Sequence, residues 1–249
     1  MKEHYPLHAH LNMAITLVCF HGSPGTPADF SLLERQLQGK FSKPVKMVRE
    51  FRSGYEGGVV STVKDSIVIG YSWGSVEALR RAAESDDVRG VVLISPYLFP
   101  ENRLSFFKKI LLHTPILWKL LLKLMSNGII DSFLNKSSSP EPVPEEYRKS
   151  AEALKDINIL RRSALEKEQG GFSPILALQR ISGRSIPVAL IWGDLDQTSS
   201  ERQQLEPIRS VVPLRLENKI KGAGHALVWT HPGQVAQFIL KFMKTLKSN

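Results

Sequence analysis

Apolar residues fall in short unbroken blocks along the 249-residue chain, separated by stretches with helical spacing. Met13–Phe20, Ile67–Ile69, Val91–Ile94 and Pro187–Trp192 are almost wholly apolar, as strands buried on both faces of a sheet must be. Val45–Phe51 reads as a weaker strand, and Leu214–Ile220 as a further one. Between these blocks the period changes. From about Pro27, the residues Phe30, Leu32, Leu33 and Leu37 form the buried side of a helix. After Ser72, Val76, Leu79 and Ala83 share one helical face, with Ala78 and Ala82 beside it. A helix over about 199–211 follows the Pro187–Trp192 strand. The last helix opens at Pro232, a favoured first position, and buries Val235, Phe238, Ile239, Phe242 and Leu246. Strands alternating with helices predict an α/β domain: a mostly parallel sheet with helices on both faces. About fifteen residues, including Gly54, Gly57 and Gly58, separate the second strand from Ile67. That leaves room for one helical turn or an irregular link.

The alternation stops between about Phe99 and Gly183, where no strand pattern occurs. Leu104–Met125 is a leucine-rich pair of helical pieces divided by Pro115. Pro140, Pro142 and Pro144 mark a loop, and helical patterns over about 145–154 and 157–167 follow. The chain thus divides into a core, residues 1–98 and 184–249, and a helical insertion, residues 99–183, read as a lid over the C-terminal edge of the sheet. Residues 101–136 hold six basic side chains, Arg103, Lys108, Lys109, Lys119, Lys123 and Lys136, against Glu101 and Asp131. Such a face suits an anionic membrane surface or a long acyl chain, or simply lysines in water above buried leucines. Pro115 interrupts the face and favours the last reading. Leu117, Trp118 and Leu121, with Leu111, Leu112 and Leu122, are expected to roof an apolar pocket for a small-molecule substrate.

Composition narrows the picture further. Hydrophobic residues make up 42% of the chain and charged residues 23%, the balance of a globular domain with a core. The 33 basic and 24 acidic side chains leave a net charge of +9. No run of five like charges and no nucleic-acid motif accompanies it, so no nucleic-acid partner is expected. Cys19 is the only cysteine, which excludes an intrachain disulfide and suits a small core residue. There is no apolar block of 18 residues, and Met1-Lys2-Glu3-His4-Tyr5-Pro6 lacks the apolar core of a signal peptide, so the expected location is cytoplasmic. His4, His8 and His10 lack companion ligands and read as a polar start; no metal or organic cofactor is expected.

The candidate chemistry sits where apolar blocks end. Ile67-Val68-Ile69 runs into Gly70-Tyr71-Ser72-Trp73-Gly74, and a helix begins at once. A serine on so sharp a strand-to-helix turn is exposed at the strand end, over the positive end of a helix, and reads as a nucleophile. His21-Gly22-Ser23-Pro24-Gly25 closes the first strand; Pro24 has no N–H, so an inward backbone donor there must come from Ser23. Asp194 and Asp196 follow the Trp192-Gly193 strand end, and His225 follows Gly222-Ala223-Gly224. In a parallel sheet with right-handed crossovers these loops share one edge. A serine hydroxyl needs an imidazole to take its proton, and the imidazole needs a carboxylate to fix its tautomer.

With the order Ser, Asp, His, residues 13–98 and 185–246 resemble the α/β-hydrolase fold family. The resemblance implies that Ser72 is the nucleophile, His225 the base, and the amides of Ser23 and Trp73 the oxyanion hole. It selects Asp196, three residues after Gly193, as the acid, and leaves Asp194 to the loop's backbone. His21 and Gly22 would then line the substrate pocket, His21 by orienting the oxyanion loop. His231 is expected at an exposed helix start, and His113 has no evident partner. The family's leading hairpin is short or missing, the link before Ile67 is brief, and Ser75 stands where many members carry a third glycine. The activity implied is a serine hydrolase cleaving a carboxylic ester with an apolar part. Two alternatives stand beside it. The His21–Gly25 and Gly70–Ser75 motifs are similar to those of proline iminopeptidases, which would use lid acids such as Glu145, Glu146 or Glu152. The other alternative is a catalytically silent member acting as a binding module.

Overall fold

The computed structural model describes residues 16–38, 40, 46–50, 64–100, 114, 128, 130–156, 159, 161, 163, 165–166 and 172–246. Its described strands are β1 Thr16–Phe20, β2 Lys46–Glu50, β3 Ser66–Tyr71, β4 Val88–Ile94, β5 Val188–Gly193 and β6 Leu214–Ile220. They form one sheet in the order β2-β1-β3-β4-β5-β6, and every neighbouring pair is parallel. The register sets Phe20 beside Gly70, Tyr71 beside Ile94, Ile94 beside Ile191 and Gly193 beside Ile220, so the strand ends line one rim. The chain runs from β1 outward to β2 and returns to β3 on the other side. The crevice between β1 and β3 is therefore a topological switch point, where sheets of this kind place ligands.

Why the inner strands β1, β3, β4 and β5 are largely apolar follows from what covers them. Successive side chains point to opposite faces. Val18, Phe20, Val68, Val91, Leu93, Leu190 and Trp192 pack on one side with α2 (Gly74–Glu84), α5 (Pro174–Gly183) and α6 (Glu206–Val211). Leu17, Cys19, Ile67, Ile69, Val92, Ile94, Ala189 and Ile191 pack on the other with α1 (Ser31–Leu37) and α7 (Pro232–Thr245). Ile130 and Leu134 of α3 (130–138) and Tyr147 and Ala151 of α4 (Glu145–Ala151) join that second cluster.

Several elements differ from the expectation. β4 begins at Val88, three residues early, because Arg89 is at the surface with Asp65 and Gly90 lets the Phe242 ring close on the strand. The sequence pattern over 199–211 is a π-helical turn at Glu201–Leu205 followed by α6. The α3 and α5 helices have no expected counterpart. Ser173 caps α5 by accepting the amide of Leu176, with Pro174 at its first position, and Ala177, Leu178 and Ile181 bury its inner side. Apart from Thr114, the expected pieces at Leu104–Met125 lie outside the described residues, as do the basic face on them, the Gly54–Gly58 link, His4, His8, His10 and His113.

Candidate active site

The turn after β3 carries the first candidate. Ser72 has φ 52°, a left-handed conformation that costs a non-glycine residue of order 1–3 kcal/mol. Its surroundings impose it. The Ser72 amide donates to the Ile94 carbonyl at 2.9 Å, and its carbonyl accepts from the amides of Ser75 at 3.0 Å and Tyr97 at 3.2 Å. Glycine is required on both sides. A Cβ at Gly70 would run into the backbone of Ser75, and one at Gly74 into the carbonyls of Phe20 and His21. Trp73, the residue after Ser72, is the N-cap of α2, so its amide belongs to the positive end of the helix.

Folding brings two distant loops to this serine. The Nε2 atom of His225 lies 2.9 Å from Ser72 Oγ, and its Nδ1 lies 2.8 Å from Asp196 Oδ2. The other carboxylate oxygen accepts the amides of Thr198 and Ser199, each at 2.8 Å. Both side chains are out of water: Asp196 is 0% exposed and His225 5%. Burial pushes the Asp196 carboxyl upward, but the neighbouring His225 and the amides of Ser199 and Thr198 together hold it below the ordinary carboxylate value. An ionised carboxylate only accepts, so Nδ1 carries the hydrogen and Nε2 turns a bare lone pair to Ser72. A hydroxyl in that position can give up its proton as it attacks a carbonyl carbon.

The loop after β1 closes the other side. A Cβ at Gly22 would sit 3.4 Å from Ser72 Cβ, so this backbone passes directly beside the hydroxyl. His21 is fully buried, with Nδ1 2.8 Å from the Gly22 carbonyl, which makes Nδ1 the donor. Ser23 is buried, and its hydroxyl donates to the Ser163 carbonyl at 3.4 Å. Tyr71 lays its ring 5.7 Å from that of His225 and is hydrogen-bonded to Tyr147 of α4. Burial is the main reason its phenol is held well above the ordinary value.

Of the residues singled out by sequence, Ser72, His225 and Asp196 are hydrogen-bonded in series, Gly22 passes beside Ser72 and Trp73 follows it, while His21 bonds the Gly22 carbonyl and Ser23 the Ser163 carbonyl. Leu117, Trp118 and Leu121 lie outside the described residues. Asp194 binds across loops, accepting the Gly222 amide at 2.6 Å. His231 is more enclosed than expected: Nδ1 lies 2.9 Å from Thr230 Oγ1 and Nε2 3.4 Å from Glu141. The sequence reading missed Tyr147, Ser199 and Gln204. Ser199 had a weak signal, as the third residue after an Asp that caps its own turn. Among the described residues no group of three or more His, Cys, Asp or Glu side chains is arranged to hold a metal ion. No described helix is long and apolar enough to cross a membrane.

Comparison with known proteins agrees with this architecture. Residues 14–238 match the model of the Alpha/beta hydrolase family. No curated protein matches the chain. Among solved structures, a thermophilic esterase from Thermogutta terrifontis superposes with a TM-score of 0.69 at 16% identity, covering 93% of this chain and 90% of that one. The esterase RhEst1 from Rhodococcus sp. ECU1013 gives 0.65 at 14%, covering 94% and 91%. A bromoperoxidase from Bacillus anthracis gives 0.62 at 16%, covering 93% and 92%. At such identities the likeness is one of fold, and it spans proteins with different named reactions.

Proposed function

We propose, for a chain that belongs to the Alpha/beta hydrolase family, that it is a serine hydrolase cleaving a carboxylic ester with an apolar acyl or alcohol part. The observation that carries this reading is the series Asp196, His225, Ser72, with contacts of 2.8 and 2.9 Å. Ser72 Oγ attacks the ester carbon while its proton passes to His225 Nε2. The charged imidazole is stabilised by Asp196, and the amides of Ser23 and Trp73 receive the oxyanion, each such donor being worth roughly 3–4 kcal/mol. Collapse expels the alcohol, which leaves with the proton from Nε2. A water molecule deprotonated by His225 then releases the acid and restores Ser72.

The half-buried Trp73, with Tyr97 6.2 Å away ring to ring, supports an apolar substrate beside the nucleophile. The aminopeptidase alternative draws less support. Glu145 is paired with Lys149 at 2.6 Å and Glu146 with Arg35 at 3.3 Å, both on the outer surface, and Glu152 is exposed.

Turnover of p-nitrophenyl esters of graded acyl length, set against a prolyl amide, tests the reading. The expected result is ester hydrolysis that Ser72→Ala lowers by at least roughly ten-thousand-fold. Equal activity in the variant would remove Ser72 from the mechanism, and a preference for the prolyl amide would favour the aminopeptidase.

A further inference from the structure

We infer that Ser199 is a positioning residue for His225, its hydroxyl serving as a second acceptor on Nδ1 beside Asp196. This role presupposes the Ser72–His225–Asp196 reading above. Ser199 is 2% exposed, and its hydroxyl lies 2.7 Å from the Pro96 carbonyl, 3.0 Å from the Ser95 carbonyl and 3.4 Å from His225 Nδ1. A hydroxyl has one proton, and neither carbonyl can donate. That proton therefore goes to the carbonyls, and the oxygen meets Nδ1 only by accepting. Asp196 Oδ2 imposes the same demand from the other side. Two acceptors on one nitrogen reject the tautomer with a bare Nδ1, and so keep Nε2 open toward Ser72.

The contact at 3.4 Å is long for a neutral ring. It matters more once the ring takes the Ser72 proton, because acceptors bind a cationic N–H more strongly. The same residue also holds the acid, since its amide donates to Asp196 Oδ1 at 2.8 Å. Further along, the fully buried Gln204 accepts the amides of Leu98 at 2.7 Å and Phe99 at 3.0 Å, and donates to the Phe99 carbonyl at 2.7 Å. Segment 199–204 is thus bolted to segment 95–99 at both ends, with Ser199 at the end nearest His225.

Among the described residues, the other groups facing His225 are Asp196 from the acid loop, Ser72 at Nε2 and Tyr71 from β3, with Tyr147 of α4 behind Tyr71. All of them are retained in the variants that isolate the hydroxyl. Ser199→Thr keeps the oxygen, Ser199→Val has the same shape without it, and Ser199→Ala makes the comparison without added bulk. Two readouts apply: NMR titration of the His225 ring, which needs no turnover, and kcat, KM and the acid limb of the pH profile on a short ester.

The hydroxyl stabilises the charged ring, so its loss moves the acid limb of the pH profile to lower pH. The expected shift for Val and Ala is about half a unit, with kcat down roughly five- to tenfold, KM unchanged, and Thr like the parent. Identical titrations and identical kcat in all the variants, even with a lower Tm, would reduce Ser199 to a loop tie and overturn the inference. A parent protein without ester turnover would instead sink the proposed function, while the ring titration would still decide the role of Ser199.

Discussion

The ring of Tyr147 lies 4.8 Å from that of Trp229, only 12° from parallel. Tyr147 belongs to α4, and Trp229 to the single helical turn Leu227–Thr230 just after His225. Two more contacts fasten the same pair of segments. The Ala226 amide donates to the Ser137 carbonyl at 2.8 Å, and Gly224 lies so close to the Ser139 carbonyl that a Cβ would collide with it. Residues 137–147 are thus fastened to the loop that presents His225, and Tyr147 also reaches the serine turn through Tyr71.

The stack and the hydroxyl of Tyr147 can be separated. Tyr147→Phe keeps the ring on Trp229 and should cost about 1 kcal/mol. Tyr147→Ala removes a buried aromatic side chain and should cost about 3–5 kcal/mol. Thermal melts check the ordering, since each kcal/mol lowers Tm by about 2–4 °C in a domain of this size. Equal melting temperatures for the two variants would mean that the stack contributes nothing.

Gly74 is fixed by its neighbours, with no room for a methyl group between α2 and the carbonyls of Phe20 and His21. Because those neighbours are backbone, Gly74→Ala should destabilise by about 2–3 kcal/mol and lower ester turnover by shifting the head of α2 away from Ser72. A variant with parent-like Tm and kcat would show that β1 and α2 can separate freely.

The two oxygens of Asp196 have different duties, which makes Asp196→Asn informative. If the amide oxygen keeps the Thr198 and Ser199 amides, the NH2 group faces His225 Nδ1. That ring nitrogen must then accept, the hydrogen moves to Nε2, and Nε2 can no longer take the Ser72 proton. A fall in kcat of roughly a thousand- to ten-thousand-fold with an intact fold is expected. A loss below about tenfold would contradict the tautomer argument.

Asp196 also makes stability depend on pH. Its folded carboxyl titrates below its unfolded value, so its contribution is fully present above the unfolded pKa, about 3.9, and is lost as pH falls through the folded value. The Tm gap between parent and Asp196→Asn should therefore be wide near pH 6 and close as pH drops below about 3.9. A gap that widened toward low pH would reverse the sign of the effect.

Much of this architecture was legible because strand burial leaves a strong mark. Val18 and Cys19 face opposite sides of the sheet, and both sides are covered, so alternation vanishes and an apolar block remains. Ser72 and Asp196 stood out because each follows such a block, and His225 because it ends the Gly222-Ala223-Gly224 turn behind the partly exposed β6. What escaped is held by contacts that leave no period in the sequence. Arg89 and Gly90 hid the start of β4, since a surface ion pair and a close ring contact look like a turn. Ser199 and Tyr147 act on His225 and Trp229 from segments far away in sequence, and a hydroxyl or a ring announces no such partner in advance. Gln204 falls in a stretch expected only to be helical, yet it is fully buried and bonded to residues 98 and 99.

A fluorophosphonate carrying a short alkyl chain, read by intact mass and peptide mapping, measures directly whether the Ser72 hydroxyl is activated. One adduct on Ser72 in the parent, none in Ser72→Ala and strongly slowed labelling in His225→Ala is the expected outcome. A parent protein that stays unlabelled, or one labelled equally fast without His225, would mean that the hydrogen-bonded series does not activate Ser72.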